Sequence, residues 1–339
     1  MKSKLQVILW IFVVLFFITF CIGRYSKKQD ETSRVLLLSH SFGQSHPIHK
    51  FVKEFAEQIE AASGNSIKIE VYDSSQLGAE PQFVEQIRLG VLHGGIVSNQ
   101  TLARFSPDFL ALQYPYVFKN EAQGRLFLNT SGEAYLKNSL EKSKANLVLF
   151  CTLTNGMNGL YFVKEVGDFT TAQKKRDFYF ASSTHPIYQK FFAAQGLLSI
   201  PIAKGEIYSA LQMRMLHAGE NTLPGLVGSK HHETANIFVA TEHSVAIFFF
   251  VMNSRVMDSL NEKERILFAS AWKKAKANFE KTAAPDYVAF ARKNNVCLVE
   301  PAALRKKEWQ EYARQIQSSN PVPWSRTFYS SAENFGGIE

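Results

Sequence analysis

Cysteine is scarce in this chain, with Cys21, Cys151 and Cys297 the three in 339 residues. So small a number argues against a disulfide framework, and no two have the spacing of a thiolate metal site. Cys151 in "LVLFC" and Cys297 in "NNVCLVE" sit in apolar, strand-like surroundings, so both read as buried free thiols. No long block of one charge occurs. Lys and Arg total 38 against 30 Asp and Glu, and the two signs are interspersed. The net charge of +8 therefore describes a solvated, mildly basic surface and not a nucleic-acid footprint. A Gly-x-Ser-x-Gly elbow, a phosphate loop and a His-Glu-x-x-His pair are all missing, and "LGVLHGG" lacks the glycine spacing of a dinucleotide fingerprint. There is no internal repeat and no low-complexity segment. No cofactor is expected.

The chain is too long for one compact core and suits two domains. Hydrophobic residues make up 46% and charged residues 20%, a globular composition. At the N-terminus, Lys2 and Lys4 precede the apolar run Val7 to Ile22, "VILWIFVVLFFITFCI". A basic head before such a run reads as an export signal, with residues 1–23 removed by cleavage after Gly23. A retained membrane anchor through residues 5–22 is the alternative. Bulky Phe20 argues against a lipid on Cys21. Residues 24–34, "RYSKKQDETSR", form a polar tether.

Beyond the tether, periodicity alternates between strand and helix. "VLLLSH" (Val35 to His40) reads as a buried strand. Pro47 opens a helix with Phe51, Phe55, Ile59 and Ala62 on one face, closed near Gly64. "SIKIEVY" is a strand, "EPQFVEQIRLG" a helix ended by Gly90, and "GGIVS" a short strand. This order predicts an α/β unit with a mainly parallel sheet. A second unit follows. "ANLVLFCTLT" and "NGLYFV" read as two strands, "RDFYFAS" as another, Ile187 to Gln195 as a helix, and "IPIA" as a short strand. Glu206 to Gln212 is a short helix, after which Gly219 breaks the chain. "HSVAIFFFVMNS" is a long strand, residues 261–294 carry one or two amphipathic helices, and "AALRKKEWQEYARQIQ" a last helix. Two α/β units imply a cleft between them, the usual place for a small ligand.

Chemical candidates are few. Ser39-His40-Ser41 and Ser183-Thr184-His185 place hydroxyls beside histidines, but sequence neighbours seldom form a nucleophile and base pair. His231 and His232 on a helix would point about 100° apart, a poor arrangement for one ion. Glu206 and Glu220 form a candidate acid/base pair whose separation the sequence does not fix. Polar residues of small bulk gather at the strand-to-helix junctions: Ser39, Ser98, Asn99, Thr154, Asn155, Ser182 and Ser183. They suit a cleft wall that supplies hydroxyls, amides and free N–H groups, and each suits a helix cap equally well.

Several ordered segments carry a resemblance. They are "HPIHKFVKEFAEQIEAASGNSIKIEVYDSSQLGAEPQFVEQIRLG", "FSPDFLALQYPYVFKNEAQ", "NGMNGLYF", "PIYQKFFAAQG" and "KGEIYSALQMRMLHAGEN". In this order and spacing, from Val35 to Pro301, the chain resembles the substrate-binding receptors of tripartite ATP-independent periplasmic (TRAP) transporters, the dicarboxylate-receptor family. The resemblance implies a two-domain, type II-like periplasmic-binding-protein fold of the α/β class. Each domain would hold a mixed sheet flanked by helices, with a long helix spanning the hinge. It implies residues 35–155 plus 247–285 as one domain and 156–246 plus 286–339 as the other. It also implies a periplasmic protein without enzymatic activity, a small polar solute such as an organic acid as ligand, and transporter membrane subunits as partners. Asn221 matches a ligand-bonding Asn, with Glu206 and Tyr208 as supports of the cleft. The ligand-binding set expected on these grounds is Asn221, Glu206, Tyr208, Asn158, Ser98, Ser182, Lys204 and His40.

The chain departs from that family where charge matters. The carboxylate-holding arginine of the family falls on Ala181, with Arg176 about five residues early. A second arginine falls on Asn158, two acids fall on His93 and Ala218, and a common aromatic falls on Lys204. Losing a bidentate arginine would cost about ten- to a hundred-fold in affinity for a carboxylate. Lys204 is the expected substitute, as a point charge without the planar fork. Two other readings stand beside the transport receptor: a diverged, membrane-tethered sensor or interaction module, and an enzyme in the same cleft.

Overall fold

The computed structural model describes residues 33–163, 179–181, 186–194, 197–200, 202–282, 286–300 and 303–319. The N-terminal signal or anchor, Arg176 and the Ser182 to His185 stretch lie outside them. Among the described residues, nine strands join in one sheet, in the order β2-β1-β3-β8-β4-β7-β5-β6, with β9 also paired to β8. The strands are β1 (Arg34–Ser39), β2 (Ile67–Tyr72), β3 (Gly94–Ser98), β4 (Leu147–Phe162), β5 (Tyr179–Ala181), β6 (Leu198–Ile200), β7 (Ala218–Thr222), β8 (Ile237–Asn253) and β9 (Cys297–Val299).

The expected parallel pairing holds at both outer thirds of the sheet, where β1 lies parallel to β2 and β3, and β5 to β6 and β7. It fails in the middle, because β3 and β8, β8 and β4, and β4 and β7 are all antiparallel. The central pair is the spine of the molecule. Its register runs from Leu147 opposite Asn253 to Phe162 opposite Ile237, so both strands pass through both lobes.

The two strands expected in residues 145–163 are therefore one. Asn155-Gly156 looks like a turn in sequence, but both halves pair with the same partner, and the irregularity is absorbed as register shifts between Thr154 and Met157 and again between Asn158 and Leu160. Gly156 takes φ +91°, and a Cβ there would meet the Tyr287 hydroxyl at 2.6 Å. Gly219 likewise does not break the chain. It lies inside β7 with the Tyr161 ring packed where a Cβ would stand, 2.1 Å from the hydroxyl oxygen.

The other elements follow the predicted patterns. Pro47–Ala62 is helical, its N-terminus capped by His46 Nδ1, which accepts from the Ile48 N–H at 3.1 Å. Glu80–Leu89 is helical and ends at Gly90. The short strand expected at "IPIA" is displaced to Leu198–Ile200. The amphipathic stretch 261–294 is two helices, Glu262–Thr282 and Tyr287–Lys293, and Ala303–Ser319 forms the last.

Burial follows the two lobes. Beside the first, Phe51 and Phe55 meet Phe150, Phe250, Phe268 and Trp272 in an aromatic cluster that seats the Glu262–Thr282 helix. Beside the second, Tyr161, Leu211, Leu223, Leu226 and Phe238 pack with Ala291 of the following helix. The helical stretch thus passes from one core to the other. A third core on the opposite face of the spine joins Phe83, Phe109 and Phe249 to Phe191, Phe192 and Trp309. Each such side chain contributes about 1.5–3 kcal/mol when fully buried. Cys151 is buried as expected, but Cys297 is exposed, because it opens β9 at the sheet margin. No helix among the described residues is long and apolar enough to cross a membrane.

Candidate functional site

A cleft of about 820 Å³ opens between the lobes over the middle of the sheet. Its floor is Val245 to Phe248 of β8. The first lobe supplies Ser41 and Phe42 just past β1, Glu80 at the start of its helix, and Ser98 and Asn99 at the end of β3. These are carboxyl ends of parallel strands, where an open α/β sheet leaves a crevice. The second lobe faces them with Asn158 of β4, Ala181 of β5, the Lys204–Glu206 turn, and Glu220 and Asn221 of β7. The volume falls within the range of small-molecule sites.

Five of the eight expected ligand-binding residues line this space: Asn221, Glu206, Asn158, Ser98 and Lys204. Ser182 lies outside the described residues. Tyr208 does not line the cleft; its hydroxyl donates to Glu233 Oε2 at 2.6 Å and accepts from Gln212 at 3.1 Å. His40 lies beneath the wall, fully buried. Its Nδ1 accepts from the Phe42 N–H at 3.2 Å, and its Nε2 lies 3.2 Å from His49 Nδ1. Burial lowers His40 to about 4, helped by His49. It braces the corner between β1 and the first helix.

Asn221 is anchored at one end of its amide only. Its Oδ1 accepts from the Thr222 N–H at 2.8 Å, while its Nδ2 has no partner among the described residues. Asn158 donates to Ser244 Oγ at 3.0 Å. Ala181 and Asn158, where arginines were expected from the resemblance, both line the cleft and bring no charge to it. His93 stays away, accepting the Leu37 N–H on Nδ1 at 2.8 Å, and Ala218 is buried in β7.

The charged groups fall into two sets. Glu80 is 10% exposed and is fixed through Oε1, which accepts from the Ser98 N–H at 2.8 Å, Ser98 Oγ at 2.5 Å and Thr101 Oγ1 at 2.5 Å. Its Oε2 faces the Lys204 ammonium across the cleft at 3.6 Å. That ammonium also sits over the rings of Phe42 and Phe248, 5.4 and 5.6 Å from their centroids. Glu220 is tied down differently. Its Oε1 lies 3.0 Å from Nε2 of His243, which is fully buried and meets Thr241 Oγ1 through Nδ1 at 2.8 Å. Among the described residues Arg104 is the second cation on the lining, and it pairs with no acid there. His46 and His231 also line it as neutral rings: burial lowers them to about 3 and about 4.

Sequence reasoning missed Glu80, Phe42, Phe248 and Arg104. Glu80 reads as an ordinary first-turn acid, and only its place directly after the "QLGA" turn hinted at a cleft position. The remaining chemical candidates do not assemble. No group of three His, Cys, Asp or Glu among the described residues is arranged to hold a metal ion. Glu206 lies exposed at the rim while Glu220 is anchored to His243, so they are held by different means.

Comparison with known proteins agrees with this geometry. The model of bacterial extracellular solute-binding proteins, family 7, matches residues 38–319. A solute-binding protein of Chromohalobacter salexigens is 25% identical over 225 residues, which cover 65% of this chain and 65% of that relative. The 2,3-diketo-L-gulonate-binding periplasmic protein of Escherichia coli is 22% identical, with 71% and 74% covered. The chain therefore matches just under two thirds of the former relative's length. Among solved structures, a TRAP periplasmic solute-binding protein from Xanthobacter autotrophicus with bound β-D-galacturonate superposes with TM-score 0.79 at 18% identity, over 90% of this chain and 100% of that one. One from Shewanella oneidensis with bound succinate gives 0.81 at 17%, over 89% and 99%. At such identities these two structures establish the fold.

Proposed function

The chain belongs to the bacterial extracellular solute-binding proteins, family 7, and from that premise we propose that it captures a small, carboxylate-bearing polar solute in the interdomain cleft and delivers it to the membrane subunits of a TRAP-type transporter. The observation that carries this reading is the cleft itself: about 820 Å³, lined by polar groups at the ends of strands from both lobes. Related structures were solved with galacturonate and succinate bound, which favours an organic acid here. In this reading Lys204 and Arg104 receive the carboxylate, Asn221 donates through its open Nδ2, and Asn158, Ser98 and Glu206 complete the polar wall. The lobes correspond to residues 35–155 plus 247–285 and 156–246 plus 286–339. The N-terminal segment directs export to the periplasm, and the cleft does no bond-making chemistry.

Ala181 and Asn158, standing where the family's arginines fall, favour a second reading: a diverged, membrane-tethered sensor or interaction module. A thermal-shift screen of small organic acids and polar solutes separates the two. A solute at a hundred times its Kd adds about 2.7 kcal/mol of stability. Stabilisation without turnover supports capture. A panel in which nothing stabilises the protein favours the interaction role, and turnover of a stabilising solute would overturn both.

A further inference from the structure

We propose that the solute carries a cationic nitrogen as well as a carboxylate, and that it binds by inserting between Glu80 and Lys204. This deepens the reading of the cleft as a solute site and rests on it. Glu80 and Lys204 come from opposite lobes and face one another at 3.6 Å within the cleft lining. A plain carboxylate that takes Lys204 strands Glu80, a largely buried anion. A plain amine that takes Glu80 strands the lysine. A solute bearing both signs exchanges partners with the pair, its nitrogen on Glu80 and its carboxylate on Lys204, and leaves neither charge alone. Once a bound solute excludes water from Glu80, an uncompensated charge there costs far more than it does in the open cleft.

Three further observations point the same way. The site is already built to hold an ammonium, since Lys204 Nζ rests over both Phe42 and Phe248, whose rings meet edge to face with centroids 4.9 Å apart. Aromatic faces beside a carboxylate are the common recognition chemistry of amines and quaternary nitrogens. Next, the acceptor is fixed and the occupant is free to leave: three hydrogen bonds to Oε1 hold Glu80, whereas the Lys204 side chain is 47% exposed. Finally, among the described residues the lining holds three carboxylates, Glu80, Glu206 and Glu220, against two side-chain cations, Lys204 and Arg104, with His46 and His231 kept neutral by burial. That balance suits a solute that is not purely anionic.

The test is calorimetric titration of the purified protein with matched acids that differ by one amine: succinate and aspartate, glutarate and glutamate, D-gluconate and D-glucosaminate. The aminated member should bind at least about ten-fold tighter in a pair that binds. Glu80→Gln, which keeps an acceptor for Ser98 and Thr101, should reverse that preference by freeing Lys204 for the plain acid. Lys204→Met, at a half-exposed side chain, should enlarge it. Plain acids that bind as tightly as their aminated partners, or a preference that neither substitution moves, overturn the nitrogen site and leave a carboxylate receptor standing. Absence of binding by every member overturns both.

Discussion

Two acids in the cleft wall are held in opposite ways, and the contrast separates what builds the wall from what works in it. Glu220 leans on His243, a fully buried ring surrounded by Tyr188, Phe191 and Phe192 and bonded to Thr241. Nothing that enters the cleft can take that partner away. Glu80 is equally fixed in its own lobe, but its counter-charge comes from the other lobe on a half-exposed lysine. The lysine is half exposed although the glutamate is not, so solvent in the open cleft screens the pair and holds its worth to about 1 kcal/mol. The first arrangement is scaffold, and the second is a contact that a solute can replace.

The scaffold should break first under acid. His40, His46 and His231 titrate at about 4, 3 and 4 in the fold, because burial disfavours their charged forms. Unfolded, each binds its proton near 6.5. Below that value the unfolded chain carries more protons, so stability falls as pH drops from about 6.5 towards 4 and levels off beneath the folded values. Each group contributes about 1.4 kcal/mol per pH unit within its window, and the three losses add. Urea midpoints between pH 7 and 4 check this, and a flat profile would contradict it. Next in size, His243→Ala should cost about 3 kcal/mol by opening a cavity and leaving Glu220 and Thr241 without their partner; a loss under about 1 kcal/mol would erase the distinction drawn here.

Effects on the working side are smaller in stability and larger in selectivity. Asn221→Ala should weaken a bound solute by about five- to ten-fold, the worth of one hydrogen bond, with the unfolding midpoint little changed. Lys204→Met should alter stability by less than about 1 kcal/mol. A larger loss in urea melts would make Lys204 part of the scaffold after all.

The sequence disclosed most of the fold wherever burial repeats with a regular period. The Pro47–Ala62 and Glu80–Leu89 helices, β1, β2 and β3 were all legible for that reason. It concealed what depends on pairing. "AGENT" has no strand composition, yet it is β7 because β4 offers Asn158 to Phe162 as partners. Asn155-Gly156 carries turn chemistry and is overruled by β8 running past both sides. In the site, Lys204, Asn221 and Asn158 were visible through the family resemblance. The partner of Lys204 was not, because Glu80 lies more than a hundred positions away and meets it only when the lobes face each other.

The central claim is that the lobes grip an unaltered solute between them. A crystal structure of the protein with a stabilising acid from the screen tests it most directly. The account predicts the intact molecule in the cleft, bonded to Asn221 and lying between Glu80 and Lys204. Density for the solute outside the cleft, or for a chemically changed product within it, would contradict it.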